Sequence, residues 1–150
     1  MYTSIIKSFN ELSTSEIYQI LRLRSEVFVV EQDCVYQDAD DKDQKAIHLF
    51  FTNENEVVAY TRLFKSGYYF KNASIGRVVV KENHRKDKLG HQLMKESVKA
   101  IQNLFNTQEI TLSAQTYLQK FYESHGFVQV GEGYLEDGIP HIKMNLSLRA

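Results

Sequence analysis

Apolar residues recur at helical spacing in three segments of the chain. The first runs from Thr14 to about Phe28, behind a capping-box signature formed by Ser13 and Glu16. The second runs from about Leu89 to Asn106 and carries a continuous apolar stripe. The third begins at Thr116, expected as its cap, and ends at a glycine that suits a helix C-terminus. The spacing therefore predicts two long helices and one short helix.

β-Prone runs between these helices predict the strands. Residues 53–56 and the pair Asp137 and Gly138 have the composition of hairpin turns between neighbouring strands. Val78, Val79 and Val80 form a continuous apolar run, which favours a central strand buried on both faces. The predicted strands span residues 1–8, 46–52, 57–64, 74–80, 109–114, 128–130 and 141–146.

The order of these elements is β-α-β-β-β-α-β-α-β-β, which predicts one α/β layer structure with a crossover helix between two of its strands. The chain has 150 residues and a single proline, Pro140. We therefore expect one domain over residues 1–150, without extended linkers.

Composition and charge argue against several classes of function. A net charge of −1 and a pI near 6.5 disfavour a nucleic-acid-binding protein. The N-terminal residues contain no long apolar run, so we expect no secretory signal, no membrane association and a cytoplasmic location. Cys34 is the only cysteine and the five histidines are scattered, so neither a disulfide nor a metal site is expected.

The charged residues are concentrated in two segments of opposite sign. The first, the acidic loop from Glu31 to Asp43, contains six carboxylates and one lysine. It favours a cationic acceptor such as an amine, a polyamine or a lysine side chain, although a solvated loop has the same composition. A calcium site is a weaker hypothesis, because the glycine and the distal glutamate of an EF-hand are missing.

The second charged segment, the basic turn from Lys81 to His91, lies between the valine-rich strand and the second helix. A helix N-terminus presents unpaired N–H groups and a partial positive charge, and both favour a bound anion. Arg85, Lys86 and Lys88 add cations where the helix dipole disfavours them, which a bound phosphate would explain. Neither a P-loop nor a GxGxxG fingerprint is present, and solvated loop charges are the alternative.

Several strings along the chain carry a more specific signal. Residues 85–90 read RKDKLG at the start of the second helix, and residues 118–127 read LQKFYESHGF, a short helix that ends in a Gly-Phe pair. With these strings the chain resembles the GCN5-related N-acetyltransferase (GNAT) superfamily, and more closely its ElaA-like branch. The branch-level strings are residues 24–32, 36–40, 75–80 and 134–141, which cover nearly the whole chain in the expected order.

This resemblance implies a GNAT-like fold, with a central mixed, mostly antiparallel sheet and helices on both faces. It implies an enzyme that moves an acetyl group from acetyl-CoA, its co-substrate, to a primary amine by direct attack in a ternary complex. The pantetheine arm is expected beside Val78, Val79 and Val80, where a backbone N–H near Val79 would polarise the carbonyl. Gln115 is a further candidate for the pantetheine amides. The residues expected at the pyrophosphate are Arg85, Lys86, Asp87, Lys88, Leu89, Gly90 and His91.

Lys88 departs from the family pattern, which has a glycine at this position. We expect Lys88 to adopt an ordinary φ and to add a charge at the phosphates. The alternative is an impaired turn that binds the cofactor weakly, because a positive φ would cost a non-glycine residue about 1–2 kcal/mol. In that case the chain would be a non-catalytic acyl-CoA-binding or interaction module. A nucleotide- or phosphopeptide-binding domain is a third hypothesis.

The resemblance also nominates Tyr122 as the general acid that protonates the departing thiolate, with simple core packing as the alternative. Glu31 is the preferred candidate for the general base, because it begins the acidic loop. Glu26, His48 and Glu136 remain open for that role. A nucleophilic Cys34 paired with His48 or His141 has no motif support. The acceptor, a small molecule or a peptide, is left unnamed, as is the choice between monomer and homodimer.

Overall fold

The computed structural model describes residues 1–149, which form one seven-stranded sheet. The strands are β1 (Thr3–Ser8), β2 (Ile47–Asn53), β3 (Glu56–Phe64), β4 (Ala73–Val80), β5 (Glu109–Gln115), β6 (Val128–Glu136) and β7 (Ile139–Ser147). Their order in the sheet is β1-β2-β3-β4-β5-β7-β6. All neighbouring pairs are antiparallel except β4 and β5, which are parallel.

Two hairpins have the turns that the sequence predicts. Glu54 and Asn55 join β2 to β3 with φ angles of 50° and 68°. Asp137 and Gly138 join β6 to β7 with φ angles of 51° and 77°. Positive φ at both central residues is the signature of the type I′ turn, whose twist matches that of the flanking strands. These short polar segments therefore fix two antiparallel pairings in the sheet.

The three helices are α1 (Thr14–Arg24), α2 (Leu89–Phe105) and α3 (Gln119–Glu123). The predicted capping box of α1 is confirmed: the Glu16 N–H donates to Ser13 Oγ at 3.0 Å, and the Ser13 N–H donates to Glu16 Oε1 at 2.8 Å. Within residues 1–149, none of the helices combines the length and the apolar composition that crossing a membrane requires.

The two long helices cover opposite faces of the sheet. Ile20 of α1 belongs to one buried cluster together with Phe50 of β2. Leu93 of α2 belongs to the other, together with Leu49 and Phe51, the neighbours of Phe50 in β2. Successive strand residues point to opposite faces, so the apolar run of β2 supplies both cores. The predicted mixed, mostly antiparallel sheet with helices on both faces is confirmed.

The first helix does not continue regularly to Phe28, as the apolar spacing predicts. From Ser25 to Glu31 the chain is a π-helix. At its end, the N–H groups of Gln32 and Cys34 donate to carbonyls five residues earlier, at 3.1 Å in both cases. The wider turns change the phase of the side chains, which periodicity at 3.6 residues cannot anticipate.

Two further local predictions are wrong. Thr116 is not a helix cap, because it is the first residue of a 3₁₀ turn, Thr116–Leu118, that precedes α3. Val79 is buried, but Val78 and Val80 are only partly buried. The reason for the partial burial is that β5 separates from β4 before it reaches these residues. This separation shapes the candidate site.

Candidate active site

A cleft opens where β4 and β5 separate. Their parallel ladder contains only two residue pairs, Ala73 with Ile110 and Ser74 with Thr111. Beyond this point, β4 remains paired with β3 and β5 with β7, but their facing edges have no strand partner within the described chain. The cleft has a volume of about 120 Å³ and is open to solvent. An unpaired strand edge can bind an extended ligand through its backbone N–H and C=O groups.

β4 bends beside the cleft through a bulge at Arg77. β3 pairs with Gly76 and again with Val79, so Arg77 and Val78 together face the single β3 residue between those pairs, Thr61. Arg77 has a φ of 49°, the left-handed conformation found at the first residue of one bulge type. Val78 is the second residue of the bulge and lines the cleft.

The acidic loop closes over arginines instead of facing the cleft with free carboxylates. Arg24 of α1 is fully buried, with Nε 2.7 Å from Asp38 Oδ2 and Nη1 2.8 Å from Asp43 Oδ1. Arg62 of β3 is also buried, with Nη1 2.8 Å from Asp40 Oδ1 and 3.0 Å from Asp43 Oδ1. Burial of an arginine is costly unless its charge is paired, and the loop supplies the pairing.

Arg77 joins the same cluster from the side of the cleft. Its Nε lies 2.8 Å from Asp38 Oδ1, and its Nη2 lies 3.3 Å from Asp40 Oδ2. Three arginines thus compensate the charges of Asp38, Asp40 and Asp43, so these three carboxylates are not free to attract a cationic acceptor, and the predicted cationic acceptor stays a prediction. We refer to this cluster as the ion network; its members are Arg24, Asp38, Asp40, Asp43, Arg62 and Arg77.

The ion network keeps the carboxylates of Asp40 and Asp43 ionised. Burial raises the pKa of Asp40, but hydrogen bonds and charge from Arg62 and Arg77 outweigh it and bring that pKa to about 2. The pKa of Asp43 is likewise lowered, because Arg24 and Arg62 outweigh the effect of burial. The network is therefore a permanent structural feature at neutral pH.

The basic turn leads from β4 into α2. Glu82–Asp87 form a 3₁₀ helix, and Lys88 then reorients the chain before α2 begins at Leu89. Lys88 has a φ of 57° and a ψ of 26°. The expectation of an ordinary φ at Lys88 is therefore wrong, and the residue occupies the left-handed region, where a side chain costs about 1–2 kcal/mol.

The cations of the turn differ in their partners. Arg85 donates to the two carboxylate oxygens of Glu31 at 2.6 and 2.8 Å, and to the Val80 carbonyl at 2.9 Å. Lys86 and Lys88 are exposed and form no ion pair within residues 1–149. The hydrogen bond from Arg85 lowers the pKa of Glu31, against the smaller opposing effect of burial. A carboxylate held in this way is a poor proton acceptor, and the role of Glu31 as a base stays a prediction.

The remaining residues expected at the pyrophosphate shape the turn and the first turn of α2. Asp87 accepts a hydrogen bond from the Tyr2 hydroxyl at 2.9 Å, which ties the turn to the start of β1. Leu89 is buried in the core. Gly90 and His91 follow it, and the ring of Phe121 packs against both. The side chains of Leu89 and His91 thus face protein groups, and the His91 backbone N–H donates to the Lys88 carbonyl at 3.2 Å.

Tyr122, the predicted acid, lies in α3 and lines the cleft. Its ring is buried and meets Phe121 and Phe127 edge on. Burial raises the pKa of Tyr122, so the hydroxyl stays protonated. No described protein group forms a hydrogen bond with that hydroxyl, which leaves it available to a ligand in the cleft.

The other walls of the cleft include residues that the sequence patterns did not bring together. A polar wall comes from β5 and the β6–β7 hairpin and includes Gln115, whose Nε2 donates to Gln32 Oε1 at 3.2 Å. The second wall, the aromatic wall, comes from three separate parts of the chain. Its members are Phe28, Tyr36, Phe64, Tyr69 and Phe70. No local spacing relates these rings, because only the folded chain places them side by side.

Cys34 and His48 have structural partners. Cys34 Sγ donates to the Asp137 carbonyl at 3.4 Å. His48 is buried, with Nε2 2.9 Å from the Asp43 carbonyl and Nδ1 2.6 Å from the Tyr60 hydroxyl. Burial lowers the pKa of His48, so its ring is neutral. Among residues 1–149 no hydrogen bond joins Cys34 to a histidine, and no group of three or more potential metal ligands occurs.

The split sheet, the basic helix N-terminus and the buried tyrosine define an acyl-CoA-dependent acyltransferase. The family model of the acetyltransferase (GNAT) domain matches residues 10–148, and the chain belongs to this family.

Among its relatives, protein ElaA of Escherichia coli strain K12 is 44% identical over 137 residues, which cover 90% of each chain. A UPF0039 protein of Schizosaccharomyces pombe is 42% identical over 146 residues, 96% of each chain.

Solved structures extend the similarity to the whole fold. The crystal structure of E. coli ElaA superposes with a TM-score of 0.91 at 41% identity, covering 98% of this chain and 100% of that chain. An acyl-CoA N-acyltransferase from Pseudomonas aeruginosa gives a TM-score of 0.92 at 40% identity, with the same coverage. The predicted family and its ElaA-like branch are confirmed.

Proposed function

We propose that this protein transfers an acetyl group from acetyl-CoA to the primary amine of a small acceptor, by direct attack in a ternary complex. The observation that carries this proposal is the split between β4 and β5, which leads to the basic N-terminus of α2. A free strand edge in line with exposed cations suits a ligand that has amides along an extended arm and phosphates at its end.

The residues of the split fit such a ligand. The β4 edge beside Val78 offers backbone N–H and C=O groups to the amides of the arm, and Gln115 lies on the opposite wall. Lys86 and Lys88 stand at the α2 N-terminus without ion-pair partners in the described chain. Arg85 is already held by Glu31, so we assign the phosphate contacts first to the two lysines.

Tyr122 is the group that we assign to protonate the departing sulfur. It is buried and protonated, and its hydroxyl is available in the cleft. A phenol with a raised pKa is a weak acid in the ground state. The same dry surroundings disfavour a free thiolate, so the proton moves as the carbon–sulfur bond breaks.

For the acceptor, we favour a single amine on an apolar or aromatic body over a polyamine. The ion network compensates the carboxylates that suggested a strongly cationic partner. The aromatic wall can receive an apolar body instead, since aromatic rings contribute large apolar contact areas. Glu136 lies in the same cleft and can face one ammonium group.

Calorimetry and a thiol-release assay on the full chain test this proposal. We expect acetyl-CoA to bind and ATP not to bind. We also expect 2-phenylethylamine to support faster thiol release than spermidine does. Binding of acetyl-CoA without turnover on any amine would favour the acyl-CoA-binding module instead. Absence of acetyl-CoA binding would refute the proposal altogether.

The role of Tyr122 has its own test. Tyr122→Phe should lower kcat about 10²-fold, because positioned acid–base groups contribute on that scale, and should leave the KM for acetyl-CoA nearly unchanged. Tyr117→Phe is the matched control, because Tyr117 is exposed and lies outside the cleft. Equal turnover of the two variants across pH would remove Tyr122 from the mechanism.

A further inference from the structure

We infer that His141 accepts the proton that the acceptor's ammonium group must lose before it attacks; this inference rests on the proposed acyl transfer. His141 lies in β7, opposite Gln115 of β5 and Tyr134 of β6. It is 7% exposed and lines the same cleft as Tyr122. An acid and a base on the walls of one cleft are what transfer between an amine and a thioester requires.

Hydrogen bonding determines which nitrogen of the ring carries the lone pair. Nδ1 of His141 lies 2.7 Å from the Ile139 carbonyl oxygen, which can only accept, so Nδ1 carries the hydrogen in the neutral ring. Nε2 is therefore the unprotonated nitrogen. It lies 3.6 Å from Oε2 of Glu136. A proton taken up at Nε2 meets a carboxylate that stabilises the imidazolium.

Glu136 is itself held in place by neighbouring hydroxyls. Ser113 Oγ donates to Glu136 Oε1 at 3.4 Å. Since this bond uses the single hydrogen of the Ser113 hydroxyl, Tyr134 is the donor in its own short hydrogen bond to Ser113. The Tyr134 ring also stacks on His141, with centroids 6.2 Å apart and planes 22° apart. Glu136, Ser113 and Tyr134 are thus positioning residues for His141.

Apart from Asp137, the other groups facing this site either have partners elsewhere or carry no charge. Arg62 and Arg77 belong to the ion network. Tyr36 donates to Asp38 at 2.7 Å. Glu31 is held by its ion pair and does not line the cleft. The remaining titratable groups on the walls are Cys34, Tyr69, Tyr122 and Asp137. Of these, Asp137 is exposed in the β6–β7 turn.

His141 and Tyr122 together account for every proton that moves in the acyl-transfer step. The acceptor, R–NH₃⁺, gives one proton to Nε2 of His141, and the neutral nitrogen attacks the carbonyl carbon of the thioester. As the carbon–nitrogen bond forms and the carbon–sulfur bond breaks, the sulfur takes the proton of Tyr122. A second proton from the nitrogen restores the Tyr122 hydroxyl. The products are the amide and the free thiol, and the proton on His141 returns to water.

The first test needs no acceptor. Nitrogen NMR of the full chain labelled at histidine, with the His141 signals assigned by their loss in His141→Gln, reports the tautomer of the neutral ring. We expect hydrogen on Nδ1 and a lone pair on Nε2. Hydrogen on Nε2 instead would overturn the inference, whatever the catalytic activity.

The second test is the pH dependence of thiol release from acetyl-CoA with 2-phenylethylamine. His141→Gln should lower kcat about 10²-fold near neutral pH, the scale of general-base catalysis, and should abolish the acid limb of the profile. Calorimetric affinity for acetyl-CoA should stay the same, which would show that the fold is intact. Glu136→Gln should give a smaller loss, and Glu132→Gln, an exposed site on the same strand, should give none.

The outcomes of the second test separate this inference from the proposed function. An acid limb that survives in His141→Gln but disappears in Glu31→Gln would overturn the role of His141. A wild-type protein that releases no thiol with any amine would refute the proposed function, and the tautomer measurement would still decide on the ring.

Discussion

The acidic loop and the basic turn both contain many charged residues, but these residues find different partners in the structure. Three carboxylates of the acidic loop meet buried arginines of α1 and β3 and the arginine of the β4 bulge. In the basic turn, Lys81 and Arg85 have carboxylate partners, while Lys86 and Lys88 extend into solvent. The first segment uses its charge to hold the fold together, and the second keeps two charges available for a ligand.

The difference follows from where the opposite charges lie. The partners of the acidic loop are distant in sequence and sit inside the fold, so the loop must approach them to neutralise them. The basic turn lies on the surface at a helix N-terminus, where no buried carboxylate needs Lys86 or Lys88 as a counter-charge. A run of like charges therefore indicates ligand binding only when the folded chain holds no buried counter-charge for it.

The largest effect is expected from breaking the ion network. Arg24→Ala should lower the free energy of unfolding by about 3–5 kcal/mol, because it removes one of the two arginines that pair with each of the poorly exposed carboxylates of Asp38 and Asp43. Asp41→Asn is the matched control, since Asp41 is exposed in the same loop and its removal should change stability by less than about 0.5 kcal/mol. Urea denaturation measures both. Similar stabilities would mean that the network is no more structural than the rest of the loop.

The pH dependence of stability should show the same network. The pKa of Asp40 is lowered to about 2 in the folded protein, so its contribution is complete above the pKa of the unfolded chain and is lost as the pH falls toward 2. The loss should amount to about 2 kcal/mol between about pH 5 and pH 2. Asp40→Asn should flatten this part of the curve of unfolding free energy against pH. An unchanged slope would contradict the pairing.

The basic turn should behave in the opposite way, with a change in affinity and little change in stability. Lys86→Ala should weaken acetyl-CoA binding about tenfold at low salt, the scale of one charge-assisted hydrogen bond, and the difference should shrink as salt screens it. Lys99→Ala, an exposed site farther along α2, is the control. Calorimetry at two salt concentrations measures the effect. Equal affinities would assign the phosphates to other groups.

The smallest effect is expected at Lys88, where two substitutions can test the backbone strain and the side-chain charge separately. Lys88→Gly should raise the free energy of unfolding by about 0.5–1 kcal/mol, because relief of the left-handed strain exceeds the entropy gained by the unfolded chain. Lys88→Ala should not, since it removes the charge and keeps the strain. Thermal denaturation distinguishes them. Any loss of acetyl-CoA affinity common to both variants reports the charge alone.

Much of the fold follows from local patterns. The capping box before α1, the apolar stripe of α2 and the two type I′ turns are each encoded within a few residues. What local patterns could not supply is the π-helix after Arg24 and the divergence of β4 from β5. Both depend on contacts with distant parts of the chain.

The sequence predicts those parts of the candidate site whose residues lie within one short segment of the chain. Contiguous strings predict the basic turn and Tyr122; in the structure Tyr122 lies on the wall of the cleft, and the basic turn precedes the N-terminus of α2. The aromatic wall and the partnership of His141 with Glu136 were not found, because their residues come from separate strands and loops. Charge sign along the sequence was misleading for Asp38 and its neighbours, since the compensating arginines are far away in the chain.

The short ladder between β4 and β5 has a consequence for how the molecule opens. Two registered pairs join a four-stranded half, β1 to β4, to a three-stranded half, β5 to β7. Each half has longer ladders of its own, so we expect the amide hydrogens beside this junction to exchange faster than those inside either half. A molecule bound along the split would connect both halves, and the sheet would then unfold as one cooperative unit.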